Sequence, residues 1–125
     1  MYLNCTVSEA LALWHHVTLE LVRGNKPDLS PRQMAVLLTT YMGPGPHTVR
    51  GMAQHLRISK PAVTRALDYL CELDLVRRKT DADDRRSVLI HRTVNGSVFL
   101  SEFADDIQAA INTFLPLEAV EHEAA

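Results

Sequence analysis

The stretch Thr48-Val-Arg-Gly-Met-Ala-Gln-His-Leu-Arg-Ile-Ser-Lys-Pro-Ala-Val-Thr-Arg65 decides the fold. Thr48 and Ser59 each stand directly before a helical pattern as an N-cap, and Pro61 lies in the first turn of the second helix. We predict a short helix after Thr48, a three-residue turn, and a longer helix from Ser59 to about Leu73. This arrangement is the outline of a helix-turn-helix.

Two short strands follow the second helix. Leu75–Lys79 and Ser87–His91 are rich in strand-forming residues, and the polar segment Thr80–Arg86 between them forms turns readily. A hairpin directly after a helix-turn-helix makes a winged helix-turn-helix. The predicted fold is therefore mainly α, with a small β-hairpin wing.

Three further helices surround this centre. Apolar residues recur with a period near 3.6 over Thr6–Arg23, after the Ser30-Pro31 cap to about Tyr41, and from Thr93 to about Leu115. The apolar faces of the first and last helices are broader than one small core needs. The predicted segments are 1–28, an N-terminal dimerisation helix; 29–93, the winged helix-turn-helix domain; and 94–125, a C-terminal dimerisation helix with an acidic tail.

The composition excludes several classes of protein. With 46% apolar and 22% charged residues in 125, the chain is long and apolar enough for one folded domain. No apolar run reaches the length of a membrane span, and the two cysteines do not form a disulfide framework. Since no secretory signal is visible, we expect a cytoplasmic protein that contacts no membrane.

The charge is distributed unevenly along the chain. The formal net charge is −2, but the segment His47–Arg92 holds ten basic and six acidic residues, which gives it a net charge of +4. The remaining residues have a net charge of −6. A basic middle between acidic ends attracts a polyanion even though the whole chain is slightly acidic.

The motifs between Leu29 and Gly96 resemble those of the MarR family of bacterial transcription regulators. Each motif is common alone, while their order and spacing together are specific. They are Leu29-Ser-Pro-Arg-Gln33, Thr48-Val-Arg-Gly-Met-Ala-Gln-His-Leu56, Ile58-Ser-Lys-Pro-Ala-Val-Thr-Arg65, Leu75-Val-Arg-Arg-Lys79, Asp81-Ala-Asp-Asp-Arg-Arg-Ser-Val88 and Thr93-Val-Asn-Gly96.

The resemblance implies a homodimer that is built from the terminal helices and represses transcription from a pseudo-palindromic DNA site. It also implies release of the DNA on binding a small-molecule effector or on oxidation. Two residues depart from the family pattern. Asp74 stands where a glycine usually ends the recognition helix, and Arg92 stands where leucine is usual, so we expect the end of the second strand to pack differently.

The start of the longer helix carries the residues that we expect at the DNA. A helix fits the major groove, and its first turns approach the base edges. Arg65 suits either a guanine edge or a phosphate, and the sequence does not choose between them. The competing interpretation is a solvated helix face. The candidates are Ser59, Lys60, Pro61, Thr64 and Arg65, with Arg50 for the backbone and Arg77, Arg78 and Lys79 ranked below.

The wing supplies a second set of candidates. The resemblance makes Arg86 the residue that enters the minor groove, where the negative potential is enhanced, and makes Asp84 the residue that holds neighbouring arginines. Arg85 is a candidate for a phosphate contact. Asp81 and Asp83 repel phosphate, so only part of the tip faces DNA. A mobile charged loop is the competing interpretation.

Other chemistry has weaker support in the sequence. A ligand pocket for an effector is a hypothesis, with Trp14, His15, Met34 and Tyr41 as its lining, although core packing explains Trp14 and Met34 equally well. Adjacent histidines at 15 and 16 point about 100° apart on a helix, so we predict no metal site. We interpret Cys5 as an incidental thiol rather than an oxidant sensor, and Cys71 as a packing residue.

Two hypotheses of function result. The first is a homodimeric regulator that binds double-stranded DNA sequence-specifically, and the second is a winged-helix protein–protein interaction module without DNA binding. The basic face of the longer helix favours the first. No nucleophile–base set, phosphate-binding glycine loop or defined carboxylate pair is present, so we predict neither an enzyme nor a cofactor.

Overall fold

The computed structural model of the protein describes residues 5–115, and the acidic tail that the sequence predicts after Pro116 lies outside them. The described residues form five helices and three strands, so the mainly α fold with a small wing is confirmed. In chain order the elements are α1 (Val7–Arg23), α2 (Pro31–Met42), β1 (His47–Thr48), α3 (Val49–Leu56), α4 (Lys60–Glu72), β2 (Val76–Thr80), β3 (Val88–Arg92) and α5 (Val94–Phe114).

The chain divides into two compact units. The first, which we call the winged unit, comprises Leu29–Phe99 and holds every element from α2 to β3 together with the start of α5. The second, the terminal unit, comprises residues 5–28 and 100–115 of the described chain. It therefore contains α1 and the remainder of α5.

All five described helices begin at a hydroxyl cap, and the sequence predicts those at Ser30, Thr48 and Ser59. In each case a hydroxyl oxygen accepts a hydrogen bond from the backbone amide three residues later, at 2.9–3.2 Å. Each such cap contributes about 1 kcal/mol by satisfying an amide that the helix itself leaves unpaired. The capping residues are Thr6, Ser30, Thr48, Ser59 and Thr93.

The core of the winged unit forms around one face of α4. The apolar stripe of that helix, Val63, Ala66, Leu67 and Leu70, is buried, and Ala62 joins it with only 6% exposure. Side chains of α2 and of the strands complete the core. The residues with no exposed surface are Val36, Leu37, Thr40, Val63, Leu67, Leu70 and Val76.

The sheet has one strand more than the sequence predicts. Its order is β1-β3-β2, all antiparallel, and β1 pairs with β3 through His47 opposite Ile90 and Thr48 opposite Leu89. A two-residue strand is too short to show an alternating pattern, which explains why it was missed. The two predicted wing strands are present, each shifted by one residue.

Among residues 5–115, two residues other than glycine adopt the left-handed conformation, and each follows a helix of the helix-turn-helix. Arg57 follows α3 and Asp74 follows α4, both with φ of 56°. At both places the chain closes with the two hydrogen bonds of a Schellman motif, one of them from the Leu75 amide to the Leu70 carbonyl at 2.9 Å. Asp74 therefore takes the conformation expected of the glycine that it replaces.

In the terminal unit, an ammonium group joins the segment after α1 to α5. Lys26 Nζ lies 3.2 Å from Glu102 and 3.7 Å from Asp106, and the rings of His16 and Phe114 meet with their centroids 5.7 Å apart.

One face of α1 is apolar and exposed. Val7, Leu11, Trp14 and Val22, which we call the α1 stripe, are 60–78% exposed. The stripe does not make α1 a membrane helix, since no helix among residues 5–115 combines the length and hydropathy that crossing a membrane requires.

A hydrogen-bond cluster closes the winged unit where α5 begins. The Tyr41 hydroxyl donates to the Leu75 carbonyl at 2.6 Å and accepts from the Thr93 amide at 2.9 Å. The Thr93 hydroxyl donates to the Asp74 carbonyl at 2.7 Å. Gly96 leaves room for this cluster, because a Cβ at that position would overlap both the Tyr41 hydroxyl and the Leu75 carbonyl oxygen.

We therefore predict that Gly96→Ala destabilises the protein. In a helix, alanine is normally about 1 kcal/mol better than glycine. Here the overlap with a backbone oxygen outweighs that gain, and we expect a net loss of about 1–3 kcal/mol, as for an overpacked core. Thermal unfolding followed by circular dichroism measures the change.

Ser97→Ala is the matched control, because Ser97 is the next residue of α5 and is exposed. It should leave the melting temperature nearly unchanged. A Gly96→Ala variant as stable as the parent would contradict the prediction.

Candidate nucleic-acid interface

The start of α4, the start of α3 and the wing line one concave surface, which we call the basic groove. It encloses about 280 Å³. Five of the nine residues that the sequence proposed for DNA lie in it, namely Arg50, Lys60, Thr64, Asp84 and Arg86. The full lining is Thr48, Val49, Arg50, Lys60, Thr64, Arg78, Asp84, Arg86, Ser87 and Val88.

The other four proposed residues, Ser59, Pro61, Arg65 and Arg85, do not line the basic groove, although all four are exposed. Ser59 already uses its hydroxyl oxygen to cap α4, where it accepts from the Ala62 amide at 3.2 Å. Arg65 follows Thr64 on the outward side of α4. It forms no ion pair among residues 5–115, so its guanidinium is available to a ligand.

Of the two small residues early in α4, Pro61 is exposed while Ala62 faces the core. The helical period places position 62 on the same side as Val63 and Ala66, and the hydrophobic core takes precedence there.

The wing tip is a hydrogen-bonded turn. The Asp81 amide donates to the Ser87 carbonyl and the Ser87 amide to the Asp84 carbonyl, both at 2.9 Å. The Asp84 carboxylate accepts from the Arg86 amide at 3.1 Å and lies 3.6 Å from Arg86 Nε. Asp84 thus holds the backbone of Arg86, whose side chain remains 92% exposed.

The strand β2 separates three basic residues that the sequence had ranked together. Side chains alternate along a strand, so Arg78 points into the basic groove while Arg77 and Lys79 point to the other face. Arg78 pairs with Asp68 of α4 at 2.8 Å, and Arg77 lies 3.4 Å from Asp74. Arg78 lies two residues after Val76, so the alternation along a strand places both side chains on the same face of the sheet. A sequence analysis that applied this alternation would have ranked Arg78 above Arg77 and Lys79.

Lining residues such as Thr48, Ser87 and Val88 were not predicted as part of the site. The sequence could have indicated Thr48, because an N-cap lies next to the first turn of its helix, which here carries Arg50. The sequence does not indicate that Ser87 and Val88 line the groove, because their position depends on how β3 packs in the folded unit.

The predicted effector pocket stays a prediction. Trp14 and His15 are exposed on α1 in the terminal unit, whereas Met34 and Tyr41 are half-buried in the winged unit. The Tyr41 hydroxyl is already bound to backbone groups. Two further cavities of the winged unit, of about 320 and 400 Å³, are lined by other residues.

Metal and thiol chemistry gain no support in the described part of the chain. Among residues 5–115, no group of three His, Cys, Asp or Glu side chains is placed to hold a metal ion. Cys5 is exposed and Cys71 is half-buried, and both are free thiols.

A sequence model of the MarR family matches residues 28–87, which confirms the resemblance of the motifs. No curated protein matches the sequence.

Several solved structures share the fold. The YusO protein from Bacillus subtilis is 21% identical with a TM-score of 0.74, over 94% of this chain and 82% of that one. A point mutant of S. aureus MepR bound to an oligodeoxyribonucleotide is 22% identical with a TM-score of 0.72, over 97% and 92%. The transcriptional regulator BldR from Sulfolobus solfataricus is 25% identical with a TM-score of 0.62, over 94% and 81%.

The Asp68–Arg78 pair leads to a prediction of tighter binding. Asp68→Asn removes the partner of Arg78 and leaves one more free cation in the basic groove. We expect stronger binding to random-sequence duplex DNA, with the slope of log K against log salt steeper by about 0.9, the value for one added phosphate contact. Fluorescence anisotropy over a salt series measures both quantities.

Asp74→Asn is the matched control. It removes the same charge but frees Arg77, which lies outside the basic groove, and asparagine tolerates the left-handed conformation at 74. It should change the salt slope far less than Asp68→Asn does. Equal slopes for the two variants would mean that only net charge matters and would contradict the prediction.

Proposed function

We propose that this chain, whose residues 28–87 belong to the MarR family, is a transcription regulator that binds double-stranded DNA. The observation that carries the proposal is the basic groove, in which Arg50, Lys60, Arg78 and Arg86 converge beside the first turns of α4. Two of these cations are on helices and two are on the wing. A surface of this kind matches the helix-plus-wing shape that reads a major groove and its neighbouring minor groove.

In this proposal α4 enters the major groove. The outward side of its first turns carries Lys60, Thr64 and Arg65, all exposed. Thr64 offers a hydroxyl for a base edge and a methyl for thymine, while Arg65 binds either guanine O6 and N7 or a phosphate. Because the opposite face of α4 is buried in the core, Lys60, Thr64 and Arg65 are the side chains of this helix that approach DNA.

The wing contributes Arg86 to the minor groove. Its side chain is almost fully exposed, while its backbone amide is bound by the Asp84 carboxylate. A long side chain on a fixed backbone reaches into a narrow groove without the cost of ordering a mobile loop. Arg85, which is exposed although it lies outside the basic groove, is the candidate for a phosphate contact.

The start of α3 positions the DNA backbone. Arg50 lies in its first turn and Thr48 caps it, and both line the basic groove. A helix N-terminus carries partial positive charge, which adds to the charge of Arg50 in attracting a phosphate. Contacts of this kind fix the register of the protein on the duplex.

We further propose that the protein acts as a homodimeric repressor on a pseudo-palindromic site. One helix and one wing make few phosphate contacts, and binding of that kind is weak at physiological salt. A two-fold dimer doubles the contacts. The α1 stripe supports the dimer, because exposed apolar side chains on one helix face favour burial against a partner.

We predict that Arg65→Ala and Arg86→Ala each weaken DNA binding by about 1–3 kcal/mol without unfolding the protein. Both residues are exposed, so their removal leaves the core intact. A bound sequence is first selected from random DNA fragments, which also shows the half-site spacing. Anisotropy with that duplex then gives the affinities, and circular dichroism checks the fold.

Arg77→Ala serves as the control for these two variants, since it removes the same side chain from the other face of β2. It should bind within about twofold of the parent, as a surface change away from the contacts does. Parent-like binding by both test variants would show that the named surfaces are wrong. A stable protein partner, with no binding to any duplex, would favour the protein–protein interaction module instead.

For the dimer, we predict that Leu11→Glu together with Trp14→Glu produces monomers. Both side chains are more than half exposed, so the substitutions spare the fold of the single chain. Burying two carboxylates in an apolar interface is strongly unfavourable. Sedimentation velocity should show the loss of the dimer, and affinity for the selected duplex should fall with it.

Ser8→Glu, an exposed polar position on the same helix, is the control and should remain dimeric. Dimers that persist in the double variant would place the interface elsewhere.

A further inference from the structure

The loop between α2 and β1 has few hydrogen-bond donors of its own. It reads Gly43-Pro-Gly-Pro46, and neither proline carries an amide hydrogen. The Gly43 amide is already bound to the Thr39 carbonyl at 3.1 Å, where α2 ends. Such a loop must be held through its carbonyl groups if it is to have a fixed shape.

Arg92, the last residue of β3, supplies the donors. Its Nε donates to the Thr40 carbonyl at 3.0 Å and its Nη2 to the Gly43 carbonyl at 3.2 Å. The guanidinium also lies over the ring of Tyr41, 5.7 Å from its centroid. His47 Nε2 lies 3.2 Å from the same Gly43 carbonyl oxygen.

These hydrogen bonds stabilise the structure because they lie at the C-terminus of α2. The last carbonyls of a helix have no partner within it, and a cation at that end interacts favourably with the helix dipole. The planar fork of an arginine binds two such carbonyls at once, which a leucine does not do. Arg92 therefore fixes the end of α2 and the start of the loop against the end of β3.

The loop leads directly to the basic groove. Two residues after Pro46, Thr48 pairs with Leu89 of β3 and caps α3, and Arg50 follows in the first turn of that helix. β3 thus holds this part of the chain at two points, through the β1 pairing on one side of the loop and through Arg92 on the other. Arg92 itself does not line the basic groove.

We propose that Arg92 is a positioning residue for DNA binding, which acts by fixing the loop that sets the first turn of α3 and thereby the place of Arg50. The DNA part of this inference rests on the proposed function. Its structural part, that the α3 N-terminus depends on Arg92, is testable without DNA.

The first experiment is hydrogen exchange on Arg92→Leu. The Gly51 amide donates to Thr48 Oγ1 at 2.9 Å, so it reports whether the α3 cap is formed. We expect this amide to exchange faster in the variant, by about threefold to tenfold, as for the loss of an ordinary hydrogen bond. The Ala62 amide, which donates to the Ser59 cap of α4, should exchange at the parental rate.

The second experiment measures affinity for the selected duplex in a double-mutant cycle. Arg92→Leu should weaken binding by about threefold to tenfold when Arg50 is present. It should have little further effect in the Arg50→Ala background, because the contact that it positions is already lost. Arg92→Lys keeps the charge and one donor direction and should recover part of the affinity.

Each outcome decides the proposal. Parental exchange at Gly51, or parental affinity of Arg92→Leu, overturns it. Equal losses in both Arg50 backgrounds also overturn it, because they would mean that Arg92 acts by its own charge or by global stability. Faster exchange at Gly51 in a protein that binds no duplex would instead retain the structural link and refute the proposed function.

Discussion

The winged unit depends on the burial of one face of α4. Val63, Leu67 and Leu70 have no exposed surface, and Ala66 is 5% exposed. Each large apolar side chain that is buried in this way contributes about 1.5–3 kcal/mol, whereas an exposed ion pair contributes less than about 1 kcal/mol. The apolar face therefore sets the rotation of the helix about its axis. Thr64 and Arg65 face outward as a consequence, and the charge of Arg65 remains available for a ligand.

A chain with net negative charge presents a cationic groove because its nearby acids are already engaged. Asp84 accepts from the Arg86 amide, and Asp81 accepts from the Asp83 amide at 2.9 Å. Asp68 is paired with Arg78. Asp84 also lies 3.6 Å from Arg86 Nε, while the Arg86 side chain stays 92% exposed beside it. The local arrangement of charge, rather than the total, decides what this surface attracts.

The sequence predicts those features that depend on neighbours along the chain. Ser59 caps α4 and Asp74 adopts the left-handed turn because both effects lie within a few residues. Features that depend on distant neighbours were missed. The strand β1 exists only because Leu89 and Ile90 lie beside it, and the partners of Arg92 at Thr40 and Gly43 are 52 and 49 residues away. The sequence shows that arginine replaces the usual leucine at position 92, but it does not show which carbonyl groups the arginine binds.

The far end of α4 is fixed as firmly as its start. The carbonyls of Leu73, Asp74 and Leu75, in the turn that ends the helix, accept from Asn95 Nδ2 at 3.2 Å, from the Thr93 hydroxyl and from the Tyr41 hydroxyl. These carbonyls belong to the turn that follows the helix, and side chains from α2 and from the start of α5 satisfy them. With its inner face buried and its last turn bonded, α4 has little freedom to reorient. A helix held in this way loses little conformational entropy when its first turns bind, so more of the contact energy is retained as affinity.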